Sequence, residues 1–346
     1  MKLLKIIKIK GLPLVFFLLL IPPFSYWSLL NYAESPLGES PVPRTIDIPR
    51  GTSFTRIVDV LDEAGLVKHR LLFHLLALSQ HAAGHIRAGE YELASSMTPL
   101  SIIRKMVRGE IKGYLLTFPE DLSLKEVAAR LAAYKLVDEA VFMRIARDRE
   151  FLASLGVEGD SLEGFLYPDT YLLDRSMDAR TIIRIMVSQF WKKVTPAMQK
   201  QAKESGFTLS EFVTLASMIG KESGNTTEKP LISAVFHNRL KKGMKLQSDP
   251  TAVYDLVNFN GVIKRKDLQN DTLHNTYHIT GLPPGPIANP GLDSLQAALS
   301  PRAVNYLYFV SRKDGTHQFS ASLTAHNQAI SRYQNRKEKE SPGEPQ

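Results

Sequence analysis

No charged residue occurs between Gly11 and Ala33, and this run follows four lysines within the first ten positions, Lys2, Lys5, Lys8 and Lys10. A helix needs about 20 apolar residues to cross the hydrocarbon of a bilayer. Basic flanks stay on the cytoplasmic side. The pattern predicts a cytoplasmic segment over residues 1–10, a single transmembrane helix over 11–33, and everything from Glu34 onward outside. Tyr26 and Trp27 near the outer end suit the membrane interface. Pro13, Pro22 and Pro23 each remove a backbone donor and kink such a helix. A cleaved signal peptide is the main competing reading, but its apolar region is shorter and ends at a small-residue cleavage site that is missing here. Both readings export the rest of the chain. A buried soluble helix is a third reading.

The 346 residues are enough for two or more domains. Half of the net charge of +8 sits in the first ten positions. No nucleic-acid motif follows, so the basic balance is that of a mildly basic surface rather than a nucleic-acid binder. The chain has no cysteine, which excludes disulfides, thiolate zinc sites, a cysteine nucleophile and a lipidated cysteine. His81–His85 and His274–His278 have i,i+4 spacing but lack the glutamate of a zinc-protease helix, and no metal site is expected from them. No G-x-S-x-G elbow is present.

The pattern beyond the apolar run is α+β. A Ser/Pro/Gly-rich stretch from Glu34 reads as a linker over residues 34–43. Thr45–Ile48 alternates like a strand. Gly51–Ala64 carries Ile57, Val58 and Leu61 at helical spacing, with Thr52 or Ser53 as its cap. His69–Ser79 and Pro99–Arg108 read as helices around a strand-like Ile86–Leu93. Part of this pattern repeats 70 positions later. Ile48-Pro49-Arg50-Gly51-Thr52-Ser53 matches Phe118-Pro119-Glu120-Asp121-Leu122-Ser123, and Ile57, Leu61, Leu66 and Val67 match Val127, Leu131, Leu136 and Val137. Chance likeness of two ordinary strand-to-helix turns is the alternative. Residues 44–113 resemble the LysM-like module that precedes some wall enzymes, which implies either aminosugar-polymer binding or a spacer. Downstream, helices dominate through Ile182–Trp191 and Leu209–Glu222. Tyr306–Val310 and His317–Ser320 flank Lys313-Asp314-Gly315 as a hairpin. Ser322–Arg336 reads as a closing helix, and residues 337–346 as a polar, disordered tail.

Leu209–Glu222 carries the strongest local chemical signal. Thr208 and Glu211 form a capping box. Phe212, Leu215, Ala216 and Ile219 make one apolar face, and Gly224 is a natural stop. Glu222 lies on the flank of that face in the last turn. Desolvation and the negative end of the helix dipole both raise the pKa of a carboxyl there, as a general acid requires. A surface glutamate paired to Lys221 or Lys229 is the competing reading. Polar side chains then gather in the loop Leu246-Gln247-Ser248-Asp249-Pro250-Thr251. More follow in Asn275-Thr276-Tyr277, ahead of the stiff Gly281-Leu282-Pro283-Pro284-Gly285-Pro286. Glu163 to Tyr171 is a further polar and aromatic cluster. Amides and carboxylates beside aromatic faces suit sugar recognition, although caps and turns use the same residues, above all at Glu163 and Asp169.

In order, EGFLYPDTY, ASMIGKES, VFHNRLKKGMKLQSDPT, NTYHITGLPPGPIANPG and YLYFVSRKDGTHQFS resemble the YceG-like family of endolytic murein transglycosylases. The resemblance runs from about residue 45 to 330. It implies an α+β catalytic domain over 114–336 behind the anchor and the LysM-like part, and Glu222 as catalytic acid within Lys221-Glu222-Ser223. Gly220 stands where the family often has a second acidic residue, so the motif here holds one glutamate. The implied reaction cleaves the MurNAc–GlcNAc bond inside nascent peptidoglycan strands and leaves 1,6-anhydro ends without hydrolysis. Gln247, Asp249, Asn275 and Tyr277 are the candidates for orienting the sugar, all expected in one cleft with Glu222. The implied partners are peptidoglycan strands, the cytoplasmic (inner) membrane and cell-wall synthases, and no cofactor is implied. Two rivals remain: a hydrolytic muramidase in which Asp249 or Glu163 activates water, and a non-catalytic wall-binding scaffold.

Overall fold

The computed structural model describes residues 25–257 and 259–333. Most of the expected membrane span and the C-terminal tail lie outside these residues. Among the described residues no helix is long and apolar enough to cross a membrane. They divide into two units, one formed by the described part of residues 1–114 with Leu172–Met177, the other by Leu115–Tyr171 with the chain from Asp178 onward.

In the first unit a helix over residues 25–34 (α1) precedes strand β1 (Arg44–Ile48), which pairs antiparallel with β2 (Gly89–Leu93). Alternation sends Ile46, Ile48, Tyr91 and Leu93 into the core. Helices α2 (Phe54–Glu63), α3 (Arg70–Ser79) and α4 (Pro99–Arg108) cover that side. The Ser53 hydroxyl accepts from the Arg56 N–H and so starts α2. Thr98 caps α4, Pro99 opens it, and Gly109 ends it in the left-handed conformation at φ 69°. Ile57, Leu61, Phe73, Leu76, Ile102, Ile103 and Met106 fill the core between them.

The second unit runs through β3 (Tyr114–Thr117), α5 (Leu124–Ala133), α6 (Glu139–Ile145), α7 (Arg149–Ser154), β4 (Thr170–Leu173), α8 (Ala179–Lys193), α9 (Pro196–Glu204) and α10 (Leu209–Glu222). Then follow α11 (Lys229–Lys241), α12 (Asp249–Val253), α13 (Leu292–Leu299), the antiparallel hairpin β5 (Tyr308–Ser311) and β6 (His317–Ser320), and α14 (Leu323–Tyr333). The boundary between the units falls within β3 and β4, which pair with each other.

Helix α10 is the hub, packed against α9, α11, α12 and α13. The periodicity predicts one apolar face, but every residue from Phe212 to Gly220 is buried because neighbours surround the helix. Its two buried hydroxyls are satisfied inside the helix, Thr214 by the Ser210 carbonyl and Ser217 by the Thr214 carbonyl. The capping box of Thr208 and Glu211 forms as expected. Asp249 and Thr251, expected in a loop, lie in the short helix α12.

The 70-residue repeat is present in the backbone. Gly51 and Asp121 both take left-handed φ values, 79° and 65°. Ser53 and Ser123 both cap the helix that follows. Gly65 and Lys135 both leave that helix at positive φ, 68° and 56°. The Leu66 and Leu136 N–H groups then bond back to the Leu61 and Leu131 carbonyls.

Candidate active site

Glu222 is the last residue of α10 and is half-buried. Ser223 turns the chain to extended backbone at φ −153°, so the helix stops just before Gly224, the stop expected from sequence, and without a left-handed glycine. Neither neighbouring lysine pairs with the acid. Lys221 donates to the Asp121 carbonyl at 3.2 Å, and the buried Lys229 to Asp293 at 2.8 Å and Glu120 at 3.5 Å. The partner of Glu222 is Ser248, whose hydroxyl donates to Oε1 at 2.5 Å. Burial pushes the Glu222 carboxyl up to about 7, and the negative charge of Asp249 adds to this; the Ser248 hydrogen bond and the Arg239 charge oppose it. A carboxylic acid at that value holds its proton near neutrality and releases it readily, which is what acid–base chemistry on a glycosidic oxygen requires.

Two loops fasten to each other beside it. The Gln247 N–H donates to the Thr276 carbonyl at 3.2 Å and the Ser248 N–H to the Thr276 hydroxyl at 2.9 Å. The Thr251 and Thr276 hydroxyls meet at 2.9 Å. Arg239 on α11 holds the first loop from below, donating to the Leu246 carbonyl at 2.7 Å, and it donates to the Leu307 carbonyl ahead of β5 at 2.7 Å. The Tyr277 hydroxyl donates to Asp249 Oδ1 at 2.5 Å. Burial and this carboxylate push the phenol far above its ordinary range.

The result is a cavity of about 300 Å³ lined by Glu222, Arg239, Gln247, Asp249 and Tyr277, and by Phe309, Ser311 and His317 of the hairpin with His326 of α14. Four of the five expected site residues therefore share one cavity. Asn275 does not line it. Asn275 is completely buried, its amide donates to the Leu268 and Asn270 carbonyls, and its Oδ1 accepts from the Tyr277 N–H. It shapes the loop that presents Tyr277.

Glu163 and Asp169 lie elsewhere. Glu163 is buried and accepts from the Leu124 N–H at the start of α5 and from the Tyr254 hydroxyl; burial pushes its carboxyl up to about 7. Asp169 accepts from the Thr170 N–H and the Gln189 amide. Both serve as caps or braces, as turn and cap residues do. Ser248, Arg239 and His317 were not singled out by sequence reasoning. Ser248 sits inside the polar loop that drew notice, but Arg239 and His317 reach the cavity only through tertiary packing. Among the described residues no group of three or more His, Asp or Glu is arranged to hold a metal.

Known proteins resemble this chain over most of its length. The model of the YceG-like family matches residues 46–332. An endolytic murein transglycosylase of Bacillus subtilis strain 168 is 32% identical over 323 residues, which is 88% of each chain. A protein of the same name from Streptococcus pneumoniae D39 is 28% identical over 325 residues; the match takes in 85% of this chain but 59% of the longer pneumococcal one. The crystal structure of a yceG-like protein of Listeria monocytogenes superposes with a TM-score of 0.59 at 32% identity, covering 84% of this chain and 99% of the other.

Proposed function

The chain belongs to the YceG-like family, and on that premise we propose that it is an endolytic lytic transglycosylase of peptidoglycan with Glu222 as its acid and base. The observation that carries this reading is a protonatable carboxyl at about 7, hydrogen-bonded by Ser248, in a polar cavity lined by Arg239, Gln247, Asp249 and Tyr277. Glu222 gives its proton to the oxygen between MurNAc and GlcNAc as the C1–O bond breaks. The carboxylate so formed takes the proton of the MurNAc C6 hydroxyl while O6 bonds to C1. The 1,6-anhydro ring closes, no water is consumed, and Glu222 is protonated again. Attack from within the same sugar depends on positioning more than on a second carboxylate. Gln247, Asp249 and Tyr277 orient the sugar, and Asn275 acts through the loop of Tyr277. Tyr277 occupies Asp249 Oδ1, which leaves Oδ2 to accept a sugar hydroxyl.

The cut strands are nascent ones supplied by cell-wall synthases at the cytoplasmic membrane. Residues 1–10 stay in the cytoplasm, the uncharged run that begins at Gly11 crosses the bilayer and leaves it before Leu29, Tyr32 and Ala33, which pack into the core of the first unit, and the folded part works outside. Tyr26 and Trp27, 65% and 61% exposed, suit the outer interface. The unit around β1 and β2 is the LysM-like module, a glycan binder or a spacer.

The test is mass spectrometry of products from purified glycan strands, wild type beside Glu222→Gln. The amide keeps size and hydrogen bonding but has no proton to transfer. Loss of acid–base assistance lowers turnover by about 10²–10⁴-fold or more, with folding intact. Hydrated ends from the wild type would mean a muramidase using Asp249. Undiminished anhydro products from Glu222→Gln, or none from the wild type, would remove the proposal.

A further inference from the structure

The hairpin and the start of α11 bring a second carboxylate-linked side chain to the cavity. Glu228, directly before α11, accepts the His317 backbone N–H with Oε1 at 3.0 Å and faces His317 Nδ1 with Oε2 at 2.8 Å. Both side chains are only 12% exposed. Phe309 stands edge-on to the imidazole, 5.5 Å between ring centres and 89° between planes. An ionised carboxylate only accepts hydrogen bonds, so Nδ1 carries the hydrogen, and in the neutral ring the lone pair is on Nε2. Turning the ring over would replace Nδ1 by a carbon against Glu228, so two contacts to one carboxylate fix both orientation and tautomer. His317 lines the cavity that holds Glu222, Gln247, Asp249 and Tyr277. Among the described residues no protein group is bonded to its Nε2.

We infer that His317 is a substrate-contacting residue whose Nε2 accepts a hydrogen bond from a hydroxyl of the bound sugar, with Glu228 as its positioning residue. The inference rests on the glycan reading of the Glu222 cavity. The cavity already presents a cation at Arg239 and an anion at Asp249. In its neutral form His317 adds an acceptor of fixed direction, which selects for a hydroxyl at one place on the ring and against a carboxylate there.

The test uses the full chain in detergent and purified uncrosslinked glycan strands. Binding is measured in the Glu222→Gln background, and kinetics with Glu222 intact. His317→Asn keeps an amide near the place of Nδ1 and leaves nothing at Nε2. His317→Gln carries an oxygen out to about the reach of Nε2. Loss of one hydrogen bond in a desolvated site weakens binding about ten-fold. The expected result is that loss for His317→Asn, a matching rise in KM with a smaller change in kcat, and partial recovery in His317→Gln. Glu228→Gln, with the tautomer no longer fixed, should fall between them. Binding and KM within two-fold of the parent for a His317→Asn protein of unchanged melting temperature would overturn the inference. So would losses that follow melting temperature alike in the Asn and Gln variants. If the wild type binds strands but yields no anhydro ends, the proposed reaction fails while the His317 contact is still read from binding.

Discussion

Burial makes Glu222 keep its proton, and Ser248 tempers that hold. Its hydrogen bond favours the carboxylate, against burial and against Asp249. In the proposed reaction Glu222 starts protonated, so kcat/KM should fall as pH rises through about 7. Ser248→Ala removes the group that lowers the pKa, and the alkaline limb should move to higher pH. A pH profile of anhydro-end release reads this directly, and a limb that stays or moves down would assign the ionisation to another group. Gly220, two residues earlier, answers to sterics. A Cβ there would lie 1.9 Å from Asp121 Oδ1. Asp121 fills the space that a side chain at position 220 would need. It does so at φ 65°, with Oδ1 buried and unbonded and its carboxyl pushed up to about 7 by burial. Alanine in a helix is favoured over glycine by about 1 kcal/mol, yet overpacking costs about 1–3 kcal/mol. Gly220→Ala should therefore lower the urea midpoint. Asp121→Gly relieves both the clash and the left-handed strain, so the double variant should recover, with a coupling above about 1 kcal/mol. Additive losses would show that the contact is not what excludes a side chain here.

Helices α2 and α5 are built by the same local chemistry, which is why their likeness was legible 70 positions apart. A left-handed residue, a serine cap and a leucine exit are short-range instructions, and each acts on the backbone of its own turn. The same holds for the Thr208–Glu211 box that opens α10 and for the turn at Lys313-Asp314-Gly315. Long-range elements were less legible. Asp249–Val253 is too short to show a period. It becomes helical because it packs on α10 and because Thr251 is tied to Thr276. Asn275 looked like a sugar ligand by composition, and only the fold reveals that three backbone groups consume its amide. The equivalent exits Gly65 and Lys135 give a test with opposite signs. Gly65→Ala forces a side chain into the left-handed region and should cost about 1 kcal/mol. Lys135→Gly, at an exposed position, relieves that strain against the entropy of a freer unfolded chain and should gain about 0.5 kcal/mol. Denaturant midpoints that move in the same direction would deny that the two turns are equivalent.

The two units do not follow the chain in a simple order, because the first takes Leu172–Met177 after the chain has entered the second. Its core contains Glu90, 3% exposed, the second residue of β2. Tyr114 donates to that carboxylate at 2.5 Å, and Arg175, from the returning segment, forms an ion pair with it. A buried carboxylate without its cation is strongly unfavourable, whereas an apolar replacement of the whole pair is nearly neutral. The domain boundary after residue 113 expected from sequence would leave Glu90 with neither partner. The carboxylate sits on one strand and its cation more than 80 positions away, beyond any local signal. Arg175→Met in the full chain should destabilise the first unit by about 3 kcal/mol. Amide exchange should then quicken in α2, α3, α4 and β2, while α10 and α13 keep the protection they have in the wild type. Adding Glu90→Met to Arg175→Met should restore most of the loss, since no buried charge is left to neutralise. If exchange in α10 quickened as much as in α2, or if the double variant were no better than Arg175→Met, the ion pair would not be what closes the first unit around the returning strand.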